Sequence, residues 1–246
     1  MPKKLESCGL THVGMRRTHN EDTIFLSDEL GLYLVADGMG GHDQGEVASA
    51  MAVDTITQWF SGSNQELSLH SLINAIKSAN HRIYQYSRER MEFQEQDGTL
   101  MAGMGTTAVA LHVYNDVASI AHVGDSRAYR MRGSHLEVLT QDHSLVSRVA
   151  LERNIPHLPV RTAFKNIITR AIGLEPDVEV DIREEKLLEN DLFLLCSDGL
   201  TNMVSDEQIR EILTSGLPPQ SACQSLVDDA NQNGGRDNIS CVLVRF

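Results

Sequence analysis

Runs of apolar, strand-like residues that end on an aspartate recur along the chain, and nothing else in the sequence constrains its fold as strongly. Leu32-Tyr33-Leu34-Val35-Ala36 leads into Asp37-Gly38-Met39-Gly40-Gly41-His42, and Leu192-Phe193-Leu194-Leu195-Cys196 leads into Ser197-Asp198-Gly199. Val117 to Val123 leads in the same way into Gly124-Asp125-Ser126-Arg127. Further Asp-centred turns are Arg17 to Asp22 (RTHNED), Thr140-Gln141-Asp142-His143 and Arg236-Asp237-Asn238. Carboxylates gathered at one end of a sheet repel one another unless positive charge neutralises them, and hard divalent cations with oxygen ligands do this best. The chain reads as a metal-dependent enzyme.

Period-2 and apolar runs predict strands at Thr23–Leu26, Gly31–Ala36, Thr106–Val113, Val117–Val123, Ala128–Arg132, Asp191–Cys196 and Ile239–Phe246. Two long helices are expected between them. In Gly45–Phe60 the residues Val47, Ala50, Met51, Val53, Asp54, Ile56 and Thr57 fall at spacings that leave one apolar face, and in Leu69–Arg90 so do Leu72, Ile73, Ile76, Ala79, Ile83 and Tyr86. Ser205-Asp206-Glu207-Gln208 reads as an N-cap with an acidic first turn, and Pro218-Pro219 separates that helix from another over Gln220–Asn231. The elements do not alternate as βαβα, which favours antiparallel sheets with helices packed on their outer faces.

With 246 residues, 41% of them hydrophobic, the chain can bury a substantial core, and one domain is expected. Its formal net charge of −13 argues against nucleic acid or anionic membrane as partner, since both rely on clustered Lys and Arg. Cys8, Cys196, Cys223 and Cys241 show no Cys-x-x-Cys spacing, and Cys196 and Cys241, inside apolar runs, read as buried reduced thiols. The N-terminal MPKKLESCGLTHVG lacks the apolar segment of a secretory signal, and no run approaches the ~18 apolar residues of a membrane span. A cytoplasmic protein is expected.

The segment Leu145–Gly173 carries Arg148, Arg153, Arg161, Lys165 and Arg170 against Glu152 alone, and Pro156 and Pro159 interrupt any long helix. It reads either as a solvated basic loop or as a flap whose positive charge meets an anionic substrate.

Taken singly, each Asp-Gly or Asp-Asn is more often a turn residue bonding its own backbone than a ligand; their joint occurrence is what matters. Gly38-Met39-Gly40-Gly41-His42 lacks Gly-x-Gly-x-x-Gly spacing, and no Gly-Lys-Ser/Thr occurs, which argues against a nucleotide cradle. Arg17 stands five residues before Asp22, and guanidinium is the side chain best shaped to grip phosphate oxygens. An arginine beside a carboxylate-bound metal pair suggests phosphoryl chemistry.

The set Arg17-x-x-x-Glu21-Asp22, Asp37-Gly38-x-Gly40-Gly41, Gly105-Thr106-Thr107, Gly124-Asp125-Ser126-Arg127, Ser197-Asp198-Gly199 and Asp237-Asn238 resembles the metal-dependent (PPM) serine/threonine protein phosphatases, the type 2C family, in its short bacterial form. The motifs follow family order from about residue 8 to the C-terminus. The resemblance implies an α+β fold, a β-sandwich of two antiparallel sheets flanked by helices on both outer faces. It implies a single catalytic domain over residues 1–246 with a flap-like segment about 145–173.

The same resemblance implies that Asp22, Asp37, Asp198 and Asp237 are metal ligands, with Gly38 lending its backbone carbonyl and Asp37 bridging two Mn²⁺ or Mg²⁺ ions. Glu21 would act through bound water, Arg17 would orient the phosphate, and Asp125 would help hold a third, weaker metal. Asp142 is carried over at a position where the family varies. Paired cations of this kind share a water, lower its pKa toward neutrality and present hydroxide in line with phosphorus, with no covalent phosphoenzyme. Arg17 and the metals then offset charge on the phosphoryl oxygens in a loose transition state.

In one place the chain departs from the pattern. Eukaryotic members carry histidine directly after Asp-Gly, thought to protonate the leaving group, whereas here Met39 takes that place and His42 follows three residues on. His42 suits the role because an imidazole titrates near the working pH, and it reads equally as a turn residue. The expected substrates are phosphoserine and phosphothreonine proteins, with a cognate Ser/Thr kinase and its targets as partners. A pseudophosphatase would be expected to lose metal aspartates that are all present here. A regulator phosphatase acting on small anti-sigma-antagonist proteins is the other enzymatic alternative.

Overall fold

The structure, a computed structural model, describes residues 5–40, 44–62, 69–95, 103–152 and 167–246. Two antiparallel sheets stack face to face. One has the order β1 (Glu6–His12), β11 (Ile239–Arg245), β10 (Leu192–Cys196), β7 (Arg127–Arg132) and β8 (His135–Val138). The other runs β2 (Asp22–Ser27), β3 (Leu32–Met39), β5 (Ala108–Tyr114), β6 (Val117–Val123) and β9 (Asp181–Lys186), with the short β4 (Gly105–Thr106) paired to the end of β3.

Strand alternation sorts the apolar residues into three layers of core, because successive side chains point to opposite faces. In β3, Leu32, Leu34 and Ala36 face α1 (Gln44–Gly62) and α2 (Leu69–Glu95). Tyr33 and Val35 of the same strand face the other sheet. In β10, Leu192, Leu194 and Cys196 lie under α4 (Asp198–Thr201), α5 (Asp206–Thr214) and α6 (Pro219–Gln232), while Phe193 and Leu195 enter the inter-sheet layer. Both faces of the central strands are therefore buried, which is why they read as continuous apolar runs. The architecture is the expected sandwich with helices on both outer faces.

The helix over 44–62 turns a different stripe inward from the one its larger residues suggest. Gly45, Ala48, Ser49, Ala52, Val53 and Ile56 are buried, Val47 and Met51 sit at the shoulders, and Asp54 is exposed. Small residues let the helix lie close on the sheet, and Ser49 Oγ donates to the Glu21 carbonyl of the strand entry at 2.6 Å. The helix at 206–214 starts as its sequence predicts, with Ser205 and Gln208 forming a reciprocal capping box.

The strands that the apolar pattern missed, β1, β8 and β9, are all at sheet edges. Asp181-Ile182-Arg183-Glu184-Glu185-Lys186 is a charged strand, and charge at an edge deters pairing with other chains while masking the strand signal. The segment after β8 holds one further helix, α3 (Leu145–Glu152), where an irregular stretch was expected. Residues 153–166, about half of the basic segment, lie outside the described residues, as does His42. All four cysteines are free and buried, as read from the sequence for Cys196 and Cys241.

Candidate metal centre

The strand parity that builds the inter-sheet core also aims the carboxylates. Tyr33 and Val35 face between the sheets, so Asp37, the next residue of that parity, does so at the end of β3. Asp22 is its direct cross-strand partner in the β2–β3 ladder and shares its face. From the opposite sheet, Phe193 and Leu195 set the parity of Ser197, and Val242 and Val244 set that of Ser240. Ser197 accepts the Ser240 amide at 3.0 Å and donates its hydroxyl to Asp22 Oδ2 at 2.8 Å. The two sheets meet at this hydroxyl.

Asp198, at the start of α4, and Asp125 and Asp237, from turns before β7 and β11, complete the group. The Asp37 carboxyl is held well above the usual carboxylate range by burial first, then by the charges of Asp22, Asp198, Asp125 and Asp237. Burial likewise pushes Asp22 up to about 7, with Asp198 and Asp237 adding to the rise against hydrogen bonds from Ser240 and Ser197. Asp125 is pushed up to about 7 by burial and by Asp198 and Asp142. Asp198 rises to about 6 through burial and Asp237, opposed by the Asn202 amide that bonds its Oδ2 at 2.9 Å. Five carboxyl groups thus bear on one another with too little positive charge between them. Asp22 Oδ1 is buried and has no hydrogen-bond partner.

The backbone around Asp37 is fixed from two sides. Thr107 Oγ1 accepts the Asp37 amide at 3.0 Å, and the Thr107 amide and Thr106 hydroxyl both donate to the Asp37 carbonyl. At Gly38 an added Cβ would lie 2.0 Å from the Gly45 carbonyl oxygen, so only glycine permits α1 to start against this turn. The Gly38 amide donates to the Glu21 carbonyl at 3.1 Å, which ties the two strand ends together.

Arg17 stands at the mouth of the group with its side chain half exposed. Its Nη2 donates to Asp237 Oδ2 at 2.8 Å, and that bond raises its pKa. Glu21 lies beside it, pushed upward chiefly by burial. The loop carrying both is organised by Asn238, a residue whose part the sequence did not disclose. Its Oδ1 accepts the Glu21 amide at 2.8 Å, and its Nδ2 donates to the carbonyls of Val13 at 3.0 Å and His19 at 2.9 Å. Ser197 is a second such residue. The signal available was only that short polar side chains flank carboxylates at strand ends, where they reach neighbouring backbone.

The structure therefore brings together Asp22, Asp37, Gly38, Asp125, Asp198 and Asp237 with Arg17 and Glu21. Asp142 is near, but its carboxylate is gripped by Arg127 in a bidentate pair at 2.8 and 2.7 Å. An all-oxygen donor set with a buried, unpartnered carboxylate oxygen suits hard divalent cations.

Among the described residues, His122, His143 and Asp181 also bring ligand-type atoms within 4.8 Å of one another. Arg170 Nη1 already stands 3.0 Å from His143 Nε2 and 2.6 Å from Asp181 Oδ1, so a guanidinium holds the place a cation would take.

Residues 8–241 match the family model described as Protein phosphatase 2C. The chain belongs to the protein phosphatase 2C family. It is 38% identical over 242 residues to the Listeria monocytogenes serine/threonine phosphatase stp, covering 95% of this chain and 93% of that one. Among solved structures it is similar to the serine/threonine phosphatase Stp1 from Staphylococcus aureus, with a TM-score of 0.88, 33% identity and coverage of 99% and 96%. It is also similar to the catalytic domain of the serine/threonine protein phosphatase PstP in complex with two manganese ions, with a TM-score of 0.81, 30% identity and coverage of 98% and 97%. This family member is a metal-dependent protein serine/threonine phosphatase acting on phosphorylated proteins. No helix among the described residues is long and apolar enough to cross a membrane.

Proposed function

We propose that the carboxylate group is the catalytic centre and that it holds Mn²⁺ or Mg²⁺, two ions in a core formed by Asp22, Asp37, the Gly38 carbonyl, Asp198 and Asp237, and a third beside Asp125. The observation that carries this reading is the convergence of mutually repelling carboxyls on Asp37 together with the orphaned Asp22 Oδ1. When bound, the cations neutralise this repulsion and polarise water for attack on phosphorus.

The chain's own residues supply orientation and charge. Arg17, exposed enough to turn from Asp237, grips the phosphoryl oxygens and sets the phosphorus facing the carboxylates. Glu21 holds water at the rim. Asn238 keeps both on one rigid loop, and Ser197 fixes the Asp22 oxygen that faces the second sheet. His42 protonates the departing serine or threonine oxygen. The whole chain acts as one catalytic domain, with the 145–173 segment as a flap receiving substrate. The physiological partners are a cognate Ser/Thr kinase and its targets in the cytoplasm.

A metal-titrated assay against phosphoserine, phosphothreonine and phosphotyrosine peptides tests the reading. Phosphate release from the first two that rises with Mn²⁺ or Mg²⁺ and vanishes with chelator is expected; turnover indifferent to metal would overturn it. For His42→Ala, the loss should be confined to alkoxide-like leaving groups. An equal loss with activated aryl phosphates removes the proton-donor role.

A further inference from the structure

We propose that His143 is a positioning residue that couples the base of the 145–167 segment to Asp125, by holding the Gly124 peptide through a side-chain acceptor and a backbone donor at once. The proposal rests on the reading of Asp125 as the residue beside a third metal ion.

Gly124 and His143 form a closed pair. The His143 amide donates to the Gly124 carbonyl at 2.9 Å, and the Gly124 amide donates to His143 Nδ1 at 3.0 Å. Gly124 has φ +106°, and an added Cβ there would lie 2.5 Å from Thr107 Cγ2. Its peptide is thus wedged between Thr107, which bonds the Asp37 backbone, and the imidazole. The next residue is Asp125, so the direction of that carboxylate is inherited from the Gly124 peptide.

The imidazole itself has little freedom. It is buried and stacks on His122 with ring centroids 4.6 Å apart and planes at 21°. Because Nδ1 accepts a backbone N–H, the neutral ring carries its proton on Nε2. That N–H points to Asp181 Oδ1 at 3.4 Å, the oxygen that Arg170 Nη1 bonds at 2.6 Å, so Arg170 Nη1, though 3.0 Å from Nε2, donates to the shared carboxylate and not to the ring. Arg170 Nη2 reaches Glu179 at 2.8 Å, which fastens the returning chain to the approach of β9.

The backbone of His143 is also where the two limbs of the segment close. Its carbonyl accepts the Thr169 amide at 2.8 Å, Ser144 pairs with Ile168, and the Leu145 amide donates to Ile167 at 2.8 Å. One residue therefore touches the outgoing limb, the returning limb and the peptide that aims Asp125. A shift of either limb reaches that carboxylate through two hydrogen bonds.

The test uses the full chain with three replacements. Asn can present its side-chain oxygen where Nδ1 lies, whereas Gln places its amide further out and Ala offers nothing. Mn²⁺ binding to the metal-stripped protein is followed by calorimetry, and the Mn²⁺ concentration for half-maximal turnover is measured alongside. His143→Ala and His143→Gln are expected to weaken the weakest binding event about 10-fold, the low end of what losing a residue that supports a ligand costs. His143→Asn should stay within about 2-fold of the parent, the arm in which the acceptor survives. Equal behaviour of Asn and Gln, or a lowered melting temperature with unchanged Mn²⁺ binding in both, overturns the proposal. Asp125→Ala separates the two failures: if it leaves the weakest binding event untouched, the metal reading of Asp125 falls; if it abolishes that event while Gln does not, only the role of His143 falls. Combined with Asp125→Ala, His143→Gln should add nothing further to the loss of that event.

Discussion

Two groups of carboxylates sit on opposite sides of the molecule's charge balance. At the rim formed by edge strands, Arg130 of β7 lies between Glu137 of β8 and Glu185 of β9, each at 2.5 Å, and Arg183 of β9 bonds the same two glutamates. That rim joins the outer strands of both sheets with alternating charge. Hydrogen bonding from Arg183, helped by Arg130, holds Glu137 below its ordinary pKa. In the candidate centre burial and like charge push Asp22, Asp37, Asp125 and Asp198 upward instead. The rim is electrostatically complete with the chain's own residues, and the centre is not. Residue type alone does not separate a clamp from a binding site; the countercharge does.

The sharpest way to break this contrast is Asp37→Asn or Asp198→Asn. Loss of Mn²⁺-dependent p-nitrophenyl phosphate hydrolysis by roughly 10²- to 10³-fold is expected, the range that charge-stabilising groups contribute. Melting of the metal-free variants should move upward, because a repelling charge is removed. Wild-type hydrolysis by Asp198→Asn would remove the basis of the site.

At the rim the sign reverses. Arg130→Ala strands two glutamates on one remaining guanidinium and should cost about 3 kcal/mol in denaturant unfolding, the usual scale for breaking a largely buried pair. Turnover per folded molecule should hold. A neutral outcome in unfolding would mean the rim pairs are no stronger than exposed ones.

His112 isolates burial without any countercharge. Its Nε2 is buried and unpartnered beside Phe60, and burial pushes its pKa down from 6.5 to about 4. Above pH 6.5 both folded and unfolded chains hold it neutral; below that the unfolded chain binds a proton that the folded one refuses until about pH 4. Stability from this residue is therefore lost as pH falls from 6.5 to 4, by roughly 3 kcal/mol. Comparing urea midpoints of the parent and His112→Phe across that window tests it, since the variant should lack this component of the slope.

Asn238→Ala probes the smallest difference, between a carboxylate group and one whose surrounding loop is held in place. Loss of three bonds to Glu21, Val13 and His19 should lower kcat/KM about 10-fold while Mn²⁺ binding by the core changes less. A fall in metal affinity equal to the fall in kcat/KM would place Asn238 with the ligands rather than with Arg17.

Much of this was legible in the chain. Leu32–Ala36 and Leu192–Cys196 announce themselves as buried strands, and the aspartates that follow them mark where those strands end. Ser205 and Gln208 announce a helix start. The strand 181–186 did not, because an edge strand carries charges for solubility, and charge is what strand periodicity scores against. Asn238 was hidden for another reason: its three partners lie more than 200 residues away, and no local pattern encodes them.

By itself the sequence determined the strand-length apolar runs, the helix stripes and the presence of carboxylates on strand ends, because alternation and helical period act between near neighbours. The tertiary structure decided that Ser197 meets Asp22 across 175 residues, that Arg17 pairs with Asp237 across 220, and that Arg170 occupies the histidine cluster. Such contacts depend on sheet order and on which face each strand turns inward, and these are settled only when two sheets close over a shared core.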